Sequence, residues 1–476
     1  MNLNQTLQEK YPHLEVSVLK LSEVKKNIDF RIDDSFWTMK LIYNNKLNYK
    51  KIGECLLKSQ YGISINMNEE GDGIPIYRMN DIDNMLCNFE VKKYALIDKN
   101  ELQTFRLNYG DVLFNRTNSY EFVGRTGIFY NNRENFVFAS YLVRLVCNKE
   151  ILLPEYLTVF LNTHIGKKEI RRRARPSINQ TNVNPEELKE IKIPIFPMEF
   201  QLEIQNLVKD SHKALEESKE LYKKAEETLY LELGLDPKNP LQSLLDSKTN
   251  IPTNSLNISI RTLKESFLKT GRLDSEYYQS KYEDIEKFIK SYPNGYDSFS
   301  NIINNKDTNF TPKNNENYSY IELANIGNNG NISEPISDLG KNLPTRARRI
   351  VSKGDVIISS IEGSLSSCAL ITQEFDKHLV STGFFVLNSK LLNGETLLVM
   401  FKSQIFQEYL KKFPSGTILC AINKEELSKI LIPKIDPTTQ EKIAKYIQES
   451  FNLRKKSKQL LDNAKNKVEE QIQGKI

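Results

Sequence analysis

Residues 182–204 read NVNPEELKEIKIPIFPMEFQLEI, and residues 421–443 read AINKEELSKILIPKIDPTTQEKI. Each stretch places Glu-Glu-Leu ahead of an apolar run that ends in Ile-Pro, and each reaches a Gln seven residues after that proline. The matching positions differ by 239, since 421 − 182 = 239. In a chain of 476 residues, this similarity and this distance indicate that one domain ending occurs twice.

Two more pairs of segments keep the same order with nearly the same spacing. GDVLFN begins at Gly110 and GDVIIS begins at Gly354, with 354 − 110 = 244. The stretch RIDDSFW from Arg31 resembles RLDSEYY from Arg272, with 272 − 31 = 241. A Gly-Asp pair before an apolar run is typical of a turn that leads into a strand. The chain is therefore predicted to be a tandem duplication with small insertions in its loops.

Length and composition agree with a protein of two or three domains. The 476 residues exceed what a single core usually serves, and 39% of them are hydrophobic. The sequence contains no run of eighteen apolar residues and no apolar leader after Met1, so we expect a cytoplasmic protein without a membrane span. Its five cysteines are scattered and form no Cys-x-x-Cys pair, which favours buried or free thiols.

Two long amphipathic helices are predicted, one after each repeat. Residues 198–233 contain neither Gly nor Pro, and small or apolar residues recur at spacings of three and four. Gly234 and Pro237 end this pattern, and the polar stretch DSKTNIPTNSLN at 246–257 is predicted to be a linker. From Thr438 onward a similar stripe continues to the end of the sequence.

The two helices are predicted to pair, because each would otherwise expose its apolar stripe. An antiparallel pair between homologous domains would create a pseudo-twofold arrangement. The alternative is that each helix packs on its own domain. We place the domain boundaries at 1–196 for the first domain, 197–235 for the central helix, 236–435 for the linker and second domain, and 436–476 for the last helix.

Positive charge is concentrated in two places, although the net charge of the chain is only +5. Residues 167–175 hold six cations and one anion, and residues 346–349 hold three Arg. Such clusters can be solvated or ion-paired surfaces. They can also contact phosphates, because clustered Lys and Arg release condensed counterions when they meet DNA.

The repeated features together resemble the specificity subunit of type I restriction-modification systems. The features are the order of domain, long helix, domain and long helix, the Gly-Asp-Val strands, the Glu-Glu-Leu and Ile-Pro boundary, and the Arg-x-Asp opening of each half. The resemblance covers nearly the whole chain. It implies an α+β fold in which two homologous mixed α/β target recognition domains are separated by long helices that pair as an antiparallel coiled coil.

The resemblance also implies a function without chemistry of its own. Each domain would read one part of a split, asymmetric DNA site, and the helices would set the spacing and dock two methyltransferase subunits. Restriction and translocase activity would belong to a further subunit. S-adenosylmethionine, ATP and Mg²⁺ would serve these partners, and this chain would hold no cofactor or metal.

Catalytic motifs are missing from the sequence. It has no GxxxxGK[ST] phosphate loop, no Gly-rich dinucleotide fingerprint and no Asn-Pro-Pro-aromatic motif, since Asn184-Pro185 is followed by Glu186. The four His show no metal-ligand spacing. The chain is therefore predicted not to be an enzyme. Two alternatives are a specificity subunit whose partner fuses methyltransferase and nuclease, and a coiled-coil scaffold that binds proteins instead of DNA.

The candidate DNA-contacting residues follow or precede the two Gly-Asp-Val strands, or belong to the basic clusters. Polar and basic side chains in such loops can read base edges or bind phosphates. The first half differs from the second, with Arg-Thr-Asn-Ser against Ser-Ser-Ile-Glu after the strand, which suggests two different half-sites. The first-half candidates are Arg116, Thr117, Asn118, Ser119, Arg125, Lys167, Lys168, Arg171, Arg172, Arg173 and Arg175. The second-half candidates are Arg346, Arg348, Arg349, Ser359, Ser360, Glu362 and Ser364.

Overall fold

The computed structural model describes residues 3–14, 16, 18–39, 41–131, 135–178, 180–246, 260–416 and 419–474. The chain divides into two compact units. Unit 1 comprises Met1–Leu215 with Lys455–Ile476, and unit 2 comprises Glu216–Arg454. Beyond Asp246, the predicted linker at 246–257 lies outside the described residues.

Unit 1 is built on short, mostly buried strands. Its helices are α1 Leu3–Lys10, α2 Leu21–Val24, α3 Asp34–Thr38, α4 Lys99–Phe105, α5 Pro154–Asn162, α6 His164–Arg173, α7 Pro185–Lys189 and the first part of α8 Met198–Glu232. Its strands are β1 Tyr49–Lys51, β2 Leu56–Tyr61, β3 Ile74–Tyr77, β4 Ile82–Asp83, β5 Leu86–Cys87, β6 Tyr94–Ala95, β7 Val112–Asn115, β8 Thr117–Asn118, β9 Thr126–Ile128, β10 Val137–Phe138, β11 Leu142–Cys147, β12 Arg175–Ser177, β13 Gln180–Asn182 and β14 Lys192–Pro194.

Among the described residues of unit 1, the strands form four sheets. The largest has the order β2-β11-β7-β9-β5-β4, and two three-stranded sheets have the orders β10-β3-β6 and β12-β13-β8. A two-stranded sheet pairs β1 with β14. Most pairs are antiparallel, whereas β10–β3 and β5–β9 are parallel, so the domain is mixed.

Unit 2 repeats the central pairings of unit 1. Its helices are α9 Pro240–Asp246, α10 Phe267–Thr270, α11 Ser280–Lys290, α12 Phe299–Ile302, α13 Gly394–Lys402, α14 Gln404–Leu410, α15 Lys424–Lys429 and the first part of α16 Pro437–Gln473. Its strands are β15 Tyr296–Ser298, β16 Ile303–Asn305, β17 Asn317–Ile321, β18 Ile336–Leu339, β19 Ala347–Ile350, β20 Val356–Ser359, β21 Cys368–Leu370, β22 Leu379–Ser381, β23 Phe384–Ser389 and β24 Leu431–Pro433.

The sheet orders of unit 2 show the duplication directly. They are β16-β23-β20-β21, β18-β17-β22-β19 and β15-β24. Strand β20 lies between β21 and β23 with antiparallel pairing, as β7 lies between β9 and β11. Strand β17 pairs in parallel with β22, as β3 pairs with β10. The predicted α+β fold with two homologous mixed domains is confirmed.

The repeated Gly-Asp turn has one physical cause in both units. Gly110 and Gly354 have φ angles of 89° and 88°, which glycine adopts without a steric penalty. The buried carboxylate of Asp111 accepts the backbone N–H of Asn108 at 2.9 Å, and Asp355 accepts that of Ser352 at 2.7 Å. Each turn therefore closes on itself before it enters strand β7 or β20.

A buried glutamine fixes the start of each long helix. The Gln201 amide accepts the backbone N–H of Leu153 at 2.9 Å and donates to the carbonyl groups of Ile151 and Phe196. In unit 2 the same three bonds recur, from Gln440 to Asn393, Leu391 and Ile435. These bonds tie the helix start to the residues before α5 or α13, which explains why this Gln occurs in both repeats.

The long helices are packed against each other within each unit. In unit 1 the Ser211 hydroxyl lies 2.8 Å from that of Ser457, and Lys467 pairs with Glu203 at 2.7 Å. Positions along α16 therefore fall as positions along α8 rise, so this part of the pair is antiparallel. Apolar side chains from both helices also enter the core of unit 1, namely Ile204, Val208, Leu461, Ala464 and Val468.

Unit 2 contains the rest of both helices in the same antiparallel sense. The hydroxyls of Ser218 and Ser450 are 3.1 Å apart, and Thr439 donates to Glu232 at 2.7 Å. Ala225, Leu229, Ile443 and Ile447 belong to the core of unit 2. The predicted antiparallel pairing is confirmed, and each helix also packs on the domains.

The predicted bounds of the first helix differ from the observed bounds by one residue, since 198–233 was expected and α8 is Met198–Glu232. The second helix begins at Pro437 rather than at Thr438. The two compact units each include one part of each helix, whereas the predicted boundaries set the helices apart as spacers. The assignment of 1–196 and 236–435 as recognition domains stays a prediction.

Candidate nucleic-acid interface

A small sheet in unit 1 brings together two candidate segments that are far apart in sequence. Strand β8, which contains Thr117 and Asn118, pairs with β13 through Thr181↔Asn118 and Asn182↔Thr117. Strand β12 continues from the basic cluster and pairs with β13 through Arg175↔Asn182. The loop after β7 and the end of helix α6 therefore lie on one three-stranded surface.

The Arg-x-Asp opening of the repeat holds this surface in place. Arg31 donates to the two carboxylate oxygens of Asp33 at 2.7 and 2.6 Å and to the Arg173 carbonyl at 2.8 Å. The Trp37 indole N–H in turn donates to the Arg31 carbonyl at 2.8 Å. In unit 2 the same set of bonds joins Arg272, Asp274, Phe413, Pro414 and Tyr278.

This positioning role was missed from the sequence, where the motif served only to detect the duplication. A bidentate Arg–Asp pair fixes the guanidinium, and its remaining N–H groups then fix the chain after helix α6. The sequence did contain a signal for this role, because the Arg-x-Asp motif recurs 241 residues later in the chain.

The structure separates the basic cluster into buried and exposed members. Arg173 is buried and bound by Glu169 and, at 3.6 Å, by Glu187 of the Glu-Glu-Leu motif. Lys167, Lys168 and Arg171 are exposed on helix α6. Arg173 therefore stabilises the fold, and the exposed members are the ones placed to meet a ligand.

Arg172 and Arg175 are intermediate cases. Arg172 is half-buried, donates to the Phe36 carbonyl at 2.7 Å and stacks over the Phe36 ring. Arg175 is half-buried and bound to Asp29. Both side chains already have protein partners, so each has fewer donors left for a phosphate than Arg171 has.

The exposed cations of helix α6 and their cationic neighbours sit close enough to affect one another electrostatically. Desolvation and the positive charges of Lys465, Arg171 and Arg125 lower the pKa of Lys167. Desolvation is the largest cause, and the three neighbouring cations add to it against the single opposing carboxylate of Glu469. A phosphate group at this position would relieve the repulsion, because it supplies the missing negative charge.

The loop after β7 contains both structural and accessible side chains. Thr117 is buried and donates to the Asn182 side chain at 2.6 Å, so it links β8 to β13. Asn118 is half-buried and accepts the Ser119 N–H at 2.8 Å, and Ser119 is exposed. Arg116 is half-buried, and its guanidinium lies 5.0 Å from the Tyr61 ring centre.

Exposed aromatic rings lie among these cations, a feature that the sequence analysis did not use. Arg125 stacks over Phe122 at 4.1 Å, and Arg171 lies over Tyr120 at 5.7 Å. Both rings are exposed to solvent. Arg held on an aromatic face keeps its donors directed outward at a low entropic cost, which suits contact with a nucleic acid.

Unit 2 also brings its two candidate segments together, around the turn at residues 382–384. The Thr382 N–H donates to the Arg346 carbonyl at 2.9 Å, and the Ser360 N–H donates to the Gly383 carbonyl at 2.9 Å. Arg349 donates to the carbonyl of Phe384 at 2.7 Å. The basic strand β19 and the loop after β20 therefore border the same turn.

The second-half candidates differ in their exposure. Arg346, Arg348 and Glu362 are exposed. Ser359 is buried, and its hydroxyl lies 2.8 Å from that of Ser364, so this pair shapes the loop. Desolvation lowers the pKa of Arg349, which is half-buried.

The small sheet of unit 1 has a counterpart in unit 2. Isolated bridges join Ile361 to Ala421 and Ser415 to Ala421, both antiparallel. The Glu362 N–H donates to the Cys420 carbonyl at 3.0 Å. The loop after the Gly-Asp-Val strand therefore meets a returning hairpin in both units.

Neither a metal site nor a membrane span is found among the residues that the structure describes. No group of three or more His, Cys, Asp and Glu in this part of the chain is arranged to hold a metal ion. Within the same residues, every helix is too short or too polar to cross a membrane.

Residues 50–227 match the family described as the type I restriction modification DNA specificity domain. The MjaX type I restriction enzyme specificity subunit of Methanocaldococcus jannaschii is 22% identical over 424 residues, which cover 88% of this chain and 91% of the relative. The EcoKI specificity subunit of Escherichia coli K12 is 27% identical over 161 residues, or 33% of this chain and 34% of the relative.

Among solved structures, the type I restriction-modification S subunit from M. genitalium aligns over 90% of this chain and 96% of its own length, with 16% identity and a TM-score of 0.42. The HsdS subunit from Thermoanaerobacter tengcongensis aligns over 91% and 98%, with 13% identity and a TM-score of 0.29. The family match and the near full-length relative agree with the resemblance suggested by the sequence repeats. Residues 50–227 therefore contain a type I restriction modification DNA specificity domain, and over most of its length the chain is similar to a type I restriction enzyme specificity subunit.

Proposed function

We propose that each unit of this chain reads one part of a split, asymmetric DNA site. The proposal is based on one observation: in each unit a polar loop lies next to a cationic segment. The two segments meet on the β12-β13-β8 surface in unit 1 and around the turn at 382–384 in unit 2. A cationic segment supplies affinity through phosphates, and a neighbouring polar loop supplies sequence discrimination.

The two units are expected to read different sequences. In unit 1 the loop offers Arg116 and Asn118, which suit bidentate bonds to guanine and adenine. In unit 2 the loop offers the exposed carboxylate of Glu362, which can accept a hydrogen bond from cytosine N4. Different donors and acceptors at the same place in the fold produce an asymmetric site.

The chain is proposed to act without chemistry of its own. Methyltransferase subunits would supply methylation and restriction subunits would supply cleavage, with S-adenosylmethionine, ATP and Mg²⁺ bound by those partners. Two sequence relatives are named as type I restriction enzyme specificity subunits, which supports the division of labour. We expect the complex to act in the cytoplasm, where it would meet its DNA.

The two alternatives make different predictions. A scaffold without DNA binding is disfavoured, because residues 50–227 match a DNA specificity domain. A partner that fuses methyltransferase and nuclease stays open, and the neighbouring genes would distinguish it from separate subunits.

The experiment is to express this chain alone, its methyltransferase partner alone, and both together in cells whose DNA is unmethylated, and to sequence the methylated bases. We expect methylation at one bipartite, asymmetric sequence only when both proteins are present. Methylation that does not depend on this chain, or methylation without a split recognition sequence, would refute the proposed function.

A further inference from the structure

The hairpin formed by β12 and β13 carries an exposed apolar side chain at its tip. Ser177 pairs with Gln180, Ile178 directly follows Ser177, and the side chain of Ile178 is 91% exposed. Single exposed apolar residues are common on protein surfaces and need no explanation by themselves. This one lies next to β8 and the loop that we propose reads DNA.

Unit 2 places a comparable side chain at the comparable point. Its returning hairpin runs from Ser415 to Ala421, and Leu419 between them is 64% exposed. The loop sequences of the two units differ, yet both hairpins keep a large aliphatic residue in solvent. Because neither side chain contributes to a core, a shared role outside the fold accounts for the recurrence better than packing does.

The shape of the hairpin indicates which part of DNA such a side chain would meet. The major groove of B-DNA admits a two-stranded β-ribbon, and thymine presents its C5 methyl group there. Aliphatic side chains contact that methyl group and lose water on doing so. In unit 1 the neighbouring cations Arg171 and Arg175 would then lie beside the phosphate backbone.

We propose that Ile178 and Leu419 are specificity-determining residues that pack on the C5 methyl group of a thymine, one in each half-site. The inference rests on the proposed function, because it requires each unit to read DNA. It adds an apolar readout to the hydrogen-bonding loop and predicts that each half-site contains at least one thymine, on either strand, whose methyl group matters.

The test measures equilibrium binding of the complex with its methyltransferase partner to duplexes that carry the bipartite site. Each thymine is replaced in turn by deoxyuridine, which lacks only the methyl group. For the native chain we expect at least one replacement in each half-site to weaken binding about fourfold, the factor for one buried methyl group. In the Ile178→Ala complex, replacement in the half-site read by unit 1 should no longer change the affinity.

Leu419→Ala provides the matched comparison. It should abolish the effect of deoxyuridine in the half-site read by unit 2 and retain the effect in the half-site read by unit 1. Both side chains are exposed, so the melting temperatures of both variants should equal that of the native chain.

Three results would overturn the inference. In the first, Ile178→Ala keeps the native response to every deoxyuridine. In the second, no thymine methyl group affects binding of the native complex. In the third, 2-aminopurine placed beside the affected thymine brightens with the native chain but not with Ile178→Ala, because the side chain would then be a wedge that unstacks bases. A native complex that binds no specific duplex would instead refute the proposed function itself.

Discussion

At the scale of single residues, arginines only two positions apart have different roles, one exposed to solvent and one buried in ion pairs. Arg171 is exposed, whereas Arg173, two positions later on helix α6, is buried between Glu169 and Glu187. The sequence pattern showed only a cationic run. Glu187 comes from the Glu-Glu-Leu motif, so one of the most regular features of the repeat is explained by an ion pair with this cluster.

The two arginines should therefore respond differently to replacement by Ala. Arg171→Ala should weaken binding to all DNA sequences alike and reduce the slope of log K against log salt by about one, because one phosphate contact is lost. Arg173→Ala should lower the free energy of unfolding by about 3–5 kcal/mol, because two buried carboxylates lose their partner. Salt-dependent binding and urea unfolding of both variants check this prediction, and an unchanged salt slope for Arg171→Ala would show that its charge is merely solvated.

The Arg-x-Asp ion pairs should make the fold less stable at low pH. Hydrogen bonds from Arg31 lower the pKa of Asp33, and those from Arg272 lower the pKa of Asp274. A carboxyl group whose folded pKa is lowered stabilises the fold above its unfolded pKa of about 3.9 and loses that contribution as the pH falls through the folded value.

We therefore expect the double variant Asp33→Asn, Asp274→Asn to be less stable than the native chain at pH 7, with a difference that shrinks below about pH 4. Unfolding in urea at several pH values measures this. A constant difference down to pH 2 would contradict the assigned role of the two ion pairs.

At the scale of elements, the local features were the predictable ones. The bounds of α8 follow from the absence of Gly and Pro and from the stripe spacing, and the Gly-Asp turns follow from turn chemistry. The pairing of β8 with β13 could not be predicted, because it joins Asn118 to Thr181, which are 181 − 118 = 63 residues apart in sequence. For the same reason the burial of Thr117 and Ser359, both proposed as DNA contacts, was not visible in the sequence.

The seam between the long helices contains buried polar pairs instead of apolar contacts alone. Ser211 meets Ser457 in unit 1, and Ser218 meets Ser450 in unit 2. All four side chains are buried. Ser211 also donates to the Ser457 carbonyl at 3.0 Å, and Ser450 donates to the Ser218 carbonyl at 2.6 Å. The other hydroxyl of each pair, that of Ser457 or Ser218, therefore has its partner's hydroxyl oxygen as its acceptor. Small polar residues at these positions let the two helix backbones approach closely.

Once one hydroxyl of the pair has been removed, removal of the other should cause a smaller further loss of stability. Ser211→Ala should lower the free energy of unfolding by about 1–2 kcal/mol, because the buried Ser457 hydroxyl is left without its partner. Ser457→Ala should cost less, because the Ser211 hydroxyl keeps its bond to the carbonyl of residue 457. The double variant should lose clearly less than the sum of the two. A double-mutant cycle by urea unfolding tests this. The control is Thr228→Ala, because that hydroxyl donates to the Lys224 carbonyl of its own helix. Additive effects of the two serine variants would show that the serine hydroxyls do not interact.

At the scale of the whole molecule, the duplication explains how one chain can read an asymmetric site. Each unit repeats the Arg-x-Asp pair, the Gly-Asp turn, the buried glutamine and the antiparallel helix seam. The features that differ are the side chains exposed around the loop after β7 or β20. The shared residues therefore maintain the fold, and the variable ones are free to set two separate specificities.

The most direct test of this account compares one loop substitution in each unit. The chain with Asn118→Ala and the chain with Glu362→Ala are each expressed with the methyltransferase partner, and the methylated sequences are mapped across the genome. We predict that Asn118→Ala relaxes base preference in one half-site only, and that Glu362→Ala relaxes it in the other half-site only. If both substitutions altered the same half-site, or if neither changed the methylated sequence, the two units would not be independent readers.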